Sequence, residues 1–572
     1  MFSTRAIRGI SMIDVVVGSA LVLIIFLSLI GLLRASLLVS SLAKAKAGAT
    51  AVANEQMEYI RSLPYESVGT VGGIPAGLIP QYSTTTENAI PYGVRTFVEY
   101  VDDAADGTGG SDSNAITTDY KRVKVAVSYT IRGLIRKVEL VSNYSPQSVE
   151  TTTNGGTLRI QVVGATGSAV AGATVRVVNA STSPTVDVTT FSDASGIVLL
   201  GGAATSSEYQ IFVSKNGYSS AQTYARDTTN QNPTPGYLTV VKNTTTTSTF
   251  AIDQLATLAL RTYTPISATS TTDNFADSSK LATQSNTAVA SGSLRLSTGS
   301  DGYNLSGSAR SVGYSPVYLA SWTVASTTLS QPAGTTLKVH VTDGTGTLIP
   351  DAVLAGNAAG FSGTSINLSG ISTSTYPTLA LSADLTTNAT TTTPTLTSWT
   401  INGTAGPVPV PNVSVSVTGA KTIGSTGGGT PIYKTTVATT TGATGSKSLQ
   451  LEWDSYGFSL TGYDVVDACT PPPFGLAPGA TITSSLFLGT NSTNAFLVTV
   501  RDNAGNIVPG VTVTLAKSGY TGNVNTSSCG TAYFGSLASG TYSVTITKTG
   551  YTTTTYSNVS VSGHGFYNAS FP

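Results

Sequence analysis

The sequence predicts a mainly β, multi-domain protein that begins with one long α-helix. The chain has 572 residues, too many for one hydrophobic core, and about 100–200 residues per domain gives several domains. Its 59 glycines and 24 prolines punctuate Thr-rich segments of alternating polarity, a pattern typical of short strands joined by tight turns. Near the N-terminus, the apolar run at residues 10–33 is long enough for a membrane-spanning helix.

The composition argues against nucleic-acid binding and against catalysis. Charged residues make up 10% of the chain and the formal net charge is zero, so no basic surface for nucleic acid is indicated. The two histidines, His340 and His564, are far apart in sequence. Acidic residues are sparse in the β-rich part and form no recognisable catalytic motif, although carboxylate chemistry of the glycosidase type stays formally open. We therefore expect no enzymatic activity and no cofactor.

The N-terminal segment carries the strongest functional signal. Arg5 and Arg8 precede the apolar run, which covers about 36 Å as a helix at about 1.5 Å per residue. Positive charges on this side predict that the N-terminus stays in the cytoplasm. A secretory signal peptide would have a shorter apolar region, whereas the helical pattern here continues up to Pro64. We expect a helix over residues 10–63 that spans the membrane with its first half, and an ordinary signal anchor is the rival interpretation.

The position of Asp14 needs an explanation, because placing a carboxylate inside a membrane segment costs about 2.5–3.5 kcal/mol of insertion free energy. The stretch Arg-Gly-Ile-Ser-Met-Ile-Asp that ends at Asp14, followed by the apolar run, resembles the prepilin cleavage and methylation motif of type IV pilins and pseudopilins. The resemblance implies that residues 1–9 are a leader and that a prepilin peptidase cuts between Gly9 and Ile10, after which the new N-terminus is methylated. It also implies that Asp14 neutralises the terminal amine of a neighbouring subunit during assembly. The family usually has Phe or Met at the position of Ile10 and Glu at that of Asp14.

Residues 64–149, after the helix, are expected to form a small antiparallel sheet. Alternating segments at 92–101, 121–130 and 136–143 follow a Gly-rich loop. These strands are similar to the sheet of minor pilins and pseudopilins, which implies a pilin-like β domain.

The loop between the first two of these strands is acidic. Its aspartates are Asp102, Asp103, Asp106 and Asp112. Carboxylates at this density are a weak candidate for calcium binding, but their spacing does not match an EF-hand loop. We favour a solvated hairpin loop and expect no metal site.

Three later segments share one layout and predict β-sandwiches. They cover residues 157–250, 407–490 and 494–572. The interval from Tyr209 to Tyr218 in the first copy equals that from Tyr542 to Tyr551 in the last. The pattern resembles the carboxypeptidase regulatory-like family, which implies small Ig-like β-sandwiches that serve as spacers in surface proteins and are not peptidases. The tyrosines that follow Gly, Tyr218 and Tyr551, are expected to be structural corner residues rather than ligand contacts.

Residues 254–403, between the first two copies, have a different pattern. A Pro-Thr-Leu sequence precedes a Trp-containing strand that ends near residue 401, and this closing segment weakly resembles discoidin-like jelly rolls. That resemblance implies a jelly-roll-like β domain with carbohydrate binding at its loops. The candidate aromatics are Tyr303, Tyr314 and Tyr318, and for each we favour a core position over sugar stacking.

The two cysteines, Cys469 and Cys529, are candidates for a disulfide. Outside the membrane the environment is oxidising. A bridge would close a loop of about 60 residues and stabilise the fold by about 4 kcal/mol according to the chain-entropy model. The sequence leaves both the bonded and the free state open.

Together these patterns predict a minor pilin or pilin-like surface adhesin that assembles through its N-terminal helix into a type IV pilus-like filament. The expected partners are the prepilin peptidase, other pilin subunits, the inner membrane and a carbohydrate or protein ligand at the surface. We expect a single-pass membrane protein whose β domains reach the cell surface or an extracellular pilus. Two alternatives stay open: a pseudopilin of a type II secretion or DNA-uptake machine, and a membrane-anchored carbohydrate-binding surface protein.

Overall fold

The computed structural model describes residues 12–103, 118–146 and 155–572. It is mainly β, with one long N-terminal helix followed by many separate sheets, so the predicted fold class is confirmed. The chain divides into two compact units. The first contains the residues up to Leu255 together with Thr422–Tyr433, and the second contains Ala256–Lys421 and Lys434–Pro572.

Helix α1 runs from Met12 to Arg61 and opens the first unit. It contains no proline, and its side chains are mostly Ala, Leu and other residues of good helix propensity. The helix ends shortly before Pro64, since proline disfavours the α conformation in the residue before it. A short 3-10 turn, Tyr65–Ser67, follows.

A four-stranded antiparallel sheet packs against the second half of α1, with its strands in the order β1-β2-β3-β4. The strands are β1 (Tyr82–Glu87), β2 (Ile90–Val101), β3 (Tyr120–Ile131) and β4 (Leu134–Tyr144). Buried and half-buried residues alternate along β2 and β3, because every second side chain points towards the helix.

The first sandwich follows in the same unit and encloses its own hydrophobic core. One sheet has the order β10-β9-β6-β7 with β12 also on β9, and the other has the order β13-β5-β8. The strands are β5 (Gly155–Val163), β6 (Thr174–Asn179), β7 (Val186–Phe191), β8 (Ile197–Ala204), β9 (Ser206–Ser214), β10 (Ala221–Gln222), β11 (Asn232–Pro233), β12 (Leu238–Val240) and β13 (Thr245–Ala251). The first and last strands, β5 and β13, pair in parallel.

Strand β11 lies outside the two sandwich sheets. It pairs with a hairpin formed much later in the chain by β29 (Thr422–Ser425) and β30 (Pro431–Tyr433). Asn230 reinforces this contact, because its side-chain amide donates a 3.0 Å hydrogen bond to the carbonyl of Ile423. The hairpin therefore belongs to the first unit, although the residues on either side of it belong to the second.

The second unit begins with β14 (Ala256–Thr264), which belongs to the middle sandwich. The predicted domain boundary near residue 254 differs from this arrangement. Leu258 and Leu260 on β14 point into the core that contains Val415 and Leu486, so this strand pairs with sandwich strands instead of starting the jelly-roll-like segment. The segment that follows is thus an insertion between two strands of the middle sandwich.

The inserted domain has two main antiparallel sheets facing a shared core, in which Trp322 and Trp399 are buried. One sheet has the order β17-β18-β26-β22-β24 with β15 on β26, the other has the order β16-β21-β25-β23, and β19 pairs with β20. The strands are β15 (Ser267–Asp273), β16 (Leu281–Ser285), β17 (Thr287–Val289), β18 (Leu294–Leu296), β19 (Thr298–Gly299), β20 (Gly302–Tyr303), β21 (Ser306–Ser311), β22 (Leu319–Ser330), β23 (Thr335–Asp343), β24 (Ser365–Asn367), β25 (Leu379–Thr387) and β26 (Thr395–Ala405).

The rest of the middle sandwich follows the insertion. Its two sheets have the orders β27-β14-β36-β34, with β32 on β14, and β31-β28-β33-β35. The strands are β27 (Val408–Pro409), β28 (Ser414–Gly419), β31 (Thr436–Thr440), β32 (Ser446–Leu451), β33 (Asp454–Leu460), β34 (Tyr463–Ala468), β35 (Phe474–Leu476) and β36 (Thr481–Thr490).

The last sandwich closes the second unit. Its sheets have the orders β40-β37-β43 and β39-β38-β41-β42, and β37 and β43 pair in parallel. The strands are β37 (Ala495–Arg501), β38 (Thr512–Lys517), β39 (Tyr520–Asn525), β40 (Thr531–Phe534), β41 (Gly540–Thr547), β42 (Thr554–Val561) and β43 (His564–Ser570). Its core is filled by aliphatic and aromatic residues, most of them at alternating positions of these strands.

Candidate functional site

The two halves of α1 have opposite environments, which makes this helix the candidate functional element. From Met12 to Val39 nearly every side chain is exposed, and most of them are large and apolar. The helix is long and apolar enough to cross a membrane. The backbone of Asp14 belongs to the first turns of α1, while Gly9 and Ile10, the predicted cleavage site, lie outside the described residues. An apolar surface of this size is suited to membrane anchoring or to a signal sequence.

The second half of α1 is held by the sheet. Ala45, Ala49 and Ala53 recur every four residues and are fully buried, so small side chains let the helix approach the strands closely. The buried hydroxyl of Tyr92 donates a 3.0 Å hydrogen bond to the carbonyl of Ala45. Near the other end of the helix, Met57 is buried among the valines of the sheet. The sheet thus packs against the second half of the helix, while the first half stays exposed.

A buried lysine lies beyond the C-terminal end of α1. Lys121 is almost completely buried, and its ammonium group donates a 2.8 Å hydrogen bond to the carbonyl of Tyr65. The ammonium group also lies 4.5 Å from the ring centre of Tyr65 and 5.5 Å from that of Tyr100. Burial lowers the pKa of Lys121 to about 8, although the carboxylate of Glu66 opposes this shift, and burial raises the pKa of Tyr100 to about 12. Lys121 was not predicted, yet its spacing from Val123 on β3 places it on the core face.

The acidic loop is described only in part. Asp106 and Asp112 lie outside the described residues. The backbone N–H of Asp103 donates a hydrogen bond to the carboxylate of Asp119. Within residues 12–103, 118–146 and 155–572, no group of three or more His, Cys, Asp or Glu side chains could hold a metal ion. The solvated loop therefore stays a prediction, and calcium binding by Asp102, Asp103, Asp106 and Asp112 stays its weak alternative.

A polar cluster and a disulfide connect the middle and last sandwiches. Cys469 and Cys529 are bonded, with their Cα atoms 4.5 Å apart. The carboxylate of Asp464 is fully buried and accepts hydrogen bonds from the hydroxyls of Ser492 and Tyr533, both at 2.6 Å. Its other oxygen lies 3.0 Å from Nε2 of His564. Burial, and then the neighbouring Asp464, raise the pKa of Tyr533 to about 12. These contacts fix the two sandwiches to each other, and sequence analysis did not identify Asp464.

The three candidate aromatics of the inserted domain have two kinds of environment. Tyr303 and Tyr314 are partly buried against the core, and the hydroxyl of Tyr314 is hydrogen-bonded to Thr269. Tyr318 has 51% of its surface exposed. The three rings are therefore not equivalent, and two of them pack in the way we favoured.

Comparisons with known proteins agree with part of this picture. Residues 496–571 match the model of the carboxypeptidase regulatory-like domain, the family that the repeats resemble. A comparison with curated protein sequences returned no significant match.

Several solved structures are similar to parts of the chain at low identity. The Bacillus anthracis TIE protein is 12% identical, with 79% of this chain and 59% of that protein covered and a TM-score of 0.15. This chain thus spans only 59% of the length of the TIE protein. BcpA, the major pilin subunit of Bacillus cereus, is 10% identical, with 73% of this chain and 99% of BcpA covered and a TM-score of 0.13. GBS52, the minor pilin of Streptococcus agalactiae, is 13% identical, with 29% and 83% covered and a TM-score of 0.12.

Such identities and TM-scores do not define a relationship over the whole chain. The fold and the helix define the class of this protein more directly. It is a multi-domain β protein whose N-terminal apolar helix is suited to membrane anchoring or to a signal sequence. Its last domain matches the carboxypeptidase regulatory-like model.

Proposed function

We propose that this chain is a minor pilin or pilin-like surface adhesin with a structural, non-enzymatic role. A prepilin peptidase would cut between Gly9 and Ile10. The helix would hold the mature chain in the inner membrane and later in the core of a type IV pilus-like filament, beside other pilin subunits. The β domains would be displayed at the surface, where they could bind a carbohydrate or protein ligand.

The observation that carries this proposal is the division of α1 into an exposed apolar half and a half packed on a sheet. A secretory signal would be removed and would need no such continuity with the folded domain. Here the same helix supplies both the apolar segment and part of the core of the sheet domain. A filament subunit needs this connection. On assembly the apolar half of its helix would leave the lipid and pack against the helices of neighbouring subunits, while its folded half keeps its structure.

Asp14 supports the same proposal through its charge. Cleavage before Ile10 would create an amine close to Asp14 in an apolar environment. An unpaired charge is strongly unfavourable there, so a carboxylate that meets the amine of a neighbouring subunit stabilises assembly and also fixes its register.

The processing step can be tested by mass spectrometry of the mature N-terminus in membrane and sheared-filament fractions. We expect a chain that begins at Ile10 and a block of processing in Gly9→Val. Gly18→Val is the matched control, since no atom lies near the position that its side chain would occupy, and it should be processed normally. An intact Met1 in the native chain, or normal cleavage of Gly9→Val, would contradict the proposal.

The assembly step can be tested with two variants of Asp14. Asp14→Ala should be cleaved normally but be missing from sheared filaments, because the buried amine then has no partner. Asp14→Glu should restore incorporation, since it keeps the charge. Incorporation of Asp14→Ala at the native level would show that charge pairing is not what selects the subunit.

A further inference from the structure

The turn between β3 and β4 exposes two large apolar side chains at the tip of a hairpin. Leu134 has 62% and Ile135 has 78% of its surface exposed. Arg132 and Arg136 flank this pair and are also exposed. Neither arginine forms an ion pair with any described residue. Such a tip could place its apolar side chains in a lipid surface and its two cations among the headgroups.

The register of the sheet locates this tip relative to α1. Tyr144, at the end of β4, lies opposite Lys121, and its hydroxyl is 3.5 Å from the carbonyl of Met57 near the C-terminal end of the helix. Tyr129 lies opposite Tyr92, whose hydroxyl is bonded to the carbonyl of Ala45. Strand β3 therefore runs back along α1 towards its apolar half, and the hairpin tip is at that end of the domain.

The tip extends beyond the level of Ala45. Ile131 and Leu134 form the last pair of the ladder, two positions past Tyr129, which corresponds to about 7 Å at about 3.4 Å per residue. The same length of helix is about four or five residues at 1.5 Å each, so the tip reaches about the level of Ser40.

This level lies at the outer edge of the lipid headgroups if the apolar run at residues 10–33 spans the bilayer. Arg34 is the first charge after the apolar run, and Ser40 is about 9 Å further along the helix. The headgroup layer is about 5–8 Å thick on each side of the hydrocarbon core, and the side chains of Leu134 and Ile135 can bridge the remaining distance.

The charges at this end of the domain are mostly positive. Lys44 and Lys46 are exposed on α1 beside the buried Ala45. They add to the two arginines of the hairpin. The charged groups that face the same end from neighbouring strands are Lys137, which pairs with Glu139 at 3.2 Å, and Glu87 near the β1–β2 turn. The excess of cations favours an anionic surface over a zwitterionic one.

We propose that the β3–β4 hairpin tip, residues 131–136, inserts into the anionic headgroup layer of the membrane that holds α1. The inference rests on the membrane anchoring proposed above. The tip and the helix then contact the bilayer at two points, which fixes the height and tilt of the sheet domain before the subunit leaves the membrane. A second copy of the chain is the alternative occupant of this apolar pair, and the test distinguishes it.

Tryptophan probes in the full chain test this contact in nanodiscs of brominated phosphatidylcholine, with and without phosphatidylglycerol. Ile135→Trp reports on the hairpin tip, and Phe26→Trp reports on the apolar half of α1. Val141→Trp is the matched control, because it is exposed on the same strand but lies further from the tip. Emission from the native tryptophans is subtracted with the unsubstituted chain. These are Trp322, Trp399 and Trp453.

We expect the brominated lipid to quench the emission of Phe26→Trp in both nanodiscs. It should also quench Ile135→Trp, and more strongly with phosphatidylglycerol. Val141→Trp should not be quenched. Adding Arg132→Gln and Arg136→Gln should reduce the quenching of Ile135→Trp and leave Phe26→Trp unchanged. If Phe26→Trp is quenched and Ile135→Trp is not, the hairpin proposal is wrong while anchoring stands. If Phe26→Trp is not quenched, anchoring itself is wrong and the hairpin proposal falls with it. If the emission of Ile135→Trp changes with protein concentration in detergent and does not depend on lipid, the tip contacts a second copy of the chain and the hairpin proposal is wrong.

Discussion

Replacing Glu452 with Gln should destabilise the middle sandwich, because this carboxylate holds two ammonium groups in a nearly dry site. Only 6% of the Glu452 side chain is exposed. It lies 2.8 Å from the Nζ atom of Lys434 and 3.2 Å from that of Lys421, and it also accepts a 3.1 Å hydrogen bond from Thr435. Burial lowers the pKa of Lys421, although Glu452 opposes that shift. The substitution keeps the shape of the side chain and removes its charge.

The magnitude follows from these distances. At an effective dielectric constant of about 20, each contact has a gross attraction of about 5–6 kcal/mol. Desolvation of the three charges cancels much of that gain, but Gln removes the carboxylate between two ammonium groups that repel each other, and of the remaining groups Asp454 attracts Lys421. Loss of one partner of a buried pair costs about 3–5 kcal/mol. The lysine side chains retain 30% and 21% exposure, so we expect about 2–4 kcal/mol.

The chain also contains a suitable control. Arg176 and Asp187 in the first sandwich form a 2.7 Å ion pair, but their side chains are 51% and 52% exposed. Asp187→Asn should therefore cost about 1 kcal/mol or less. Both substitutions replace a carboxylate with its amide, and the two sites differ in burial and in the number of cations, two at Glu452 and one at Asp187.

Native-state hydrogen exchange of the full chain measures both effects locally. Amides of β28 and β33 should exchange about 30- to 800-fold faster in Glu452→Gln, since 1.4 kcal/mol is a factor of ten. Amides of β6 and β7 should exchange no more than about 5-fold faster in Asp187→Asn. Equal changes in the two sandwiches would refute the argument from burial. Replacing Glu452, Lys421 and Lys434 together with apolar residues should recover most of the lost stability.

Three further predictions concern other parts of the chain. The folded-state pKa of Lys121, about 8, is below its ordinary value of 10.5, so the folded chain binds fewer protons between these pH values. Thermal stability of the sheet domain should therefore rise from pH 7.5 to 9.5, by up to about 2 kcal/mol, and Lys121→Met should abolish the rise. Replacing Cys469 and Cys529 with Ala should cost about 4 kcal/mol in the second unit, seen as faster exchange of β40, and an unchanged rate would contradict the loop-closure estimate. Tyr542→Phe loses a hydrogen bond to the carbonyl of Ala538 but leaves that carbonyl bonded to a lysine, so denaturant unfolding should show a loss of only about 1 kcal/mol.

Local patterns in the sequence were enough to predict individual strands and the long helix. The segments predicted at 92–101 and 121–130 correspond to Ile90–Val101 and Tyr120–Ile131, with ends that agree within two residues. The helix predicted over 10–63 ends at Arg61. These elements were predictable because alternation and proline act over a few residues.

Pairing between distant segments was not predictable in the same way. Strand β14 joins strands more than 150 residues later in the chain, and β11 pairs with β29. Which distant strands pair depends on how their side chains fit in a shared core, and alternation within a single strand does not specify that fit. The corner tyrosines show the same limit. We expected Tyr218 and Tyr551 to be the structural corner residues. The hydroxyls that donate hydrogen bonds to a nearby backbone carbonyl belong instead to Tyr209 and Tyr542, whose side chains are buried on the core face of their strands.

Parallel pairing of the terminal strands connects the sandwich fold with the proposed role. In the first sandwich β5 pairs with β13 from Thr157–Thr245 to Val163–Ala251, and β37 pairs with β43 in the same sense in the last sandwich. Because the two strands run in one direction, the chain enters each sandwich at one end and leaves at the other. Tension along the chain therefore loads all the hydrogen bonds of the ladder at once, whereas an antiparallel hairpin pulled at its open end would lose them one at a time. This topology suits the proposed role, in which the chain is anchored through its helix and its β domains carry load.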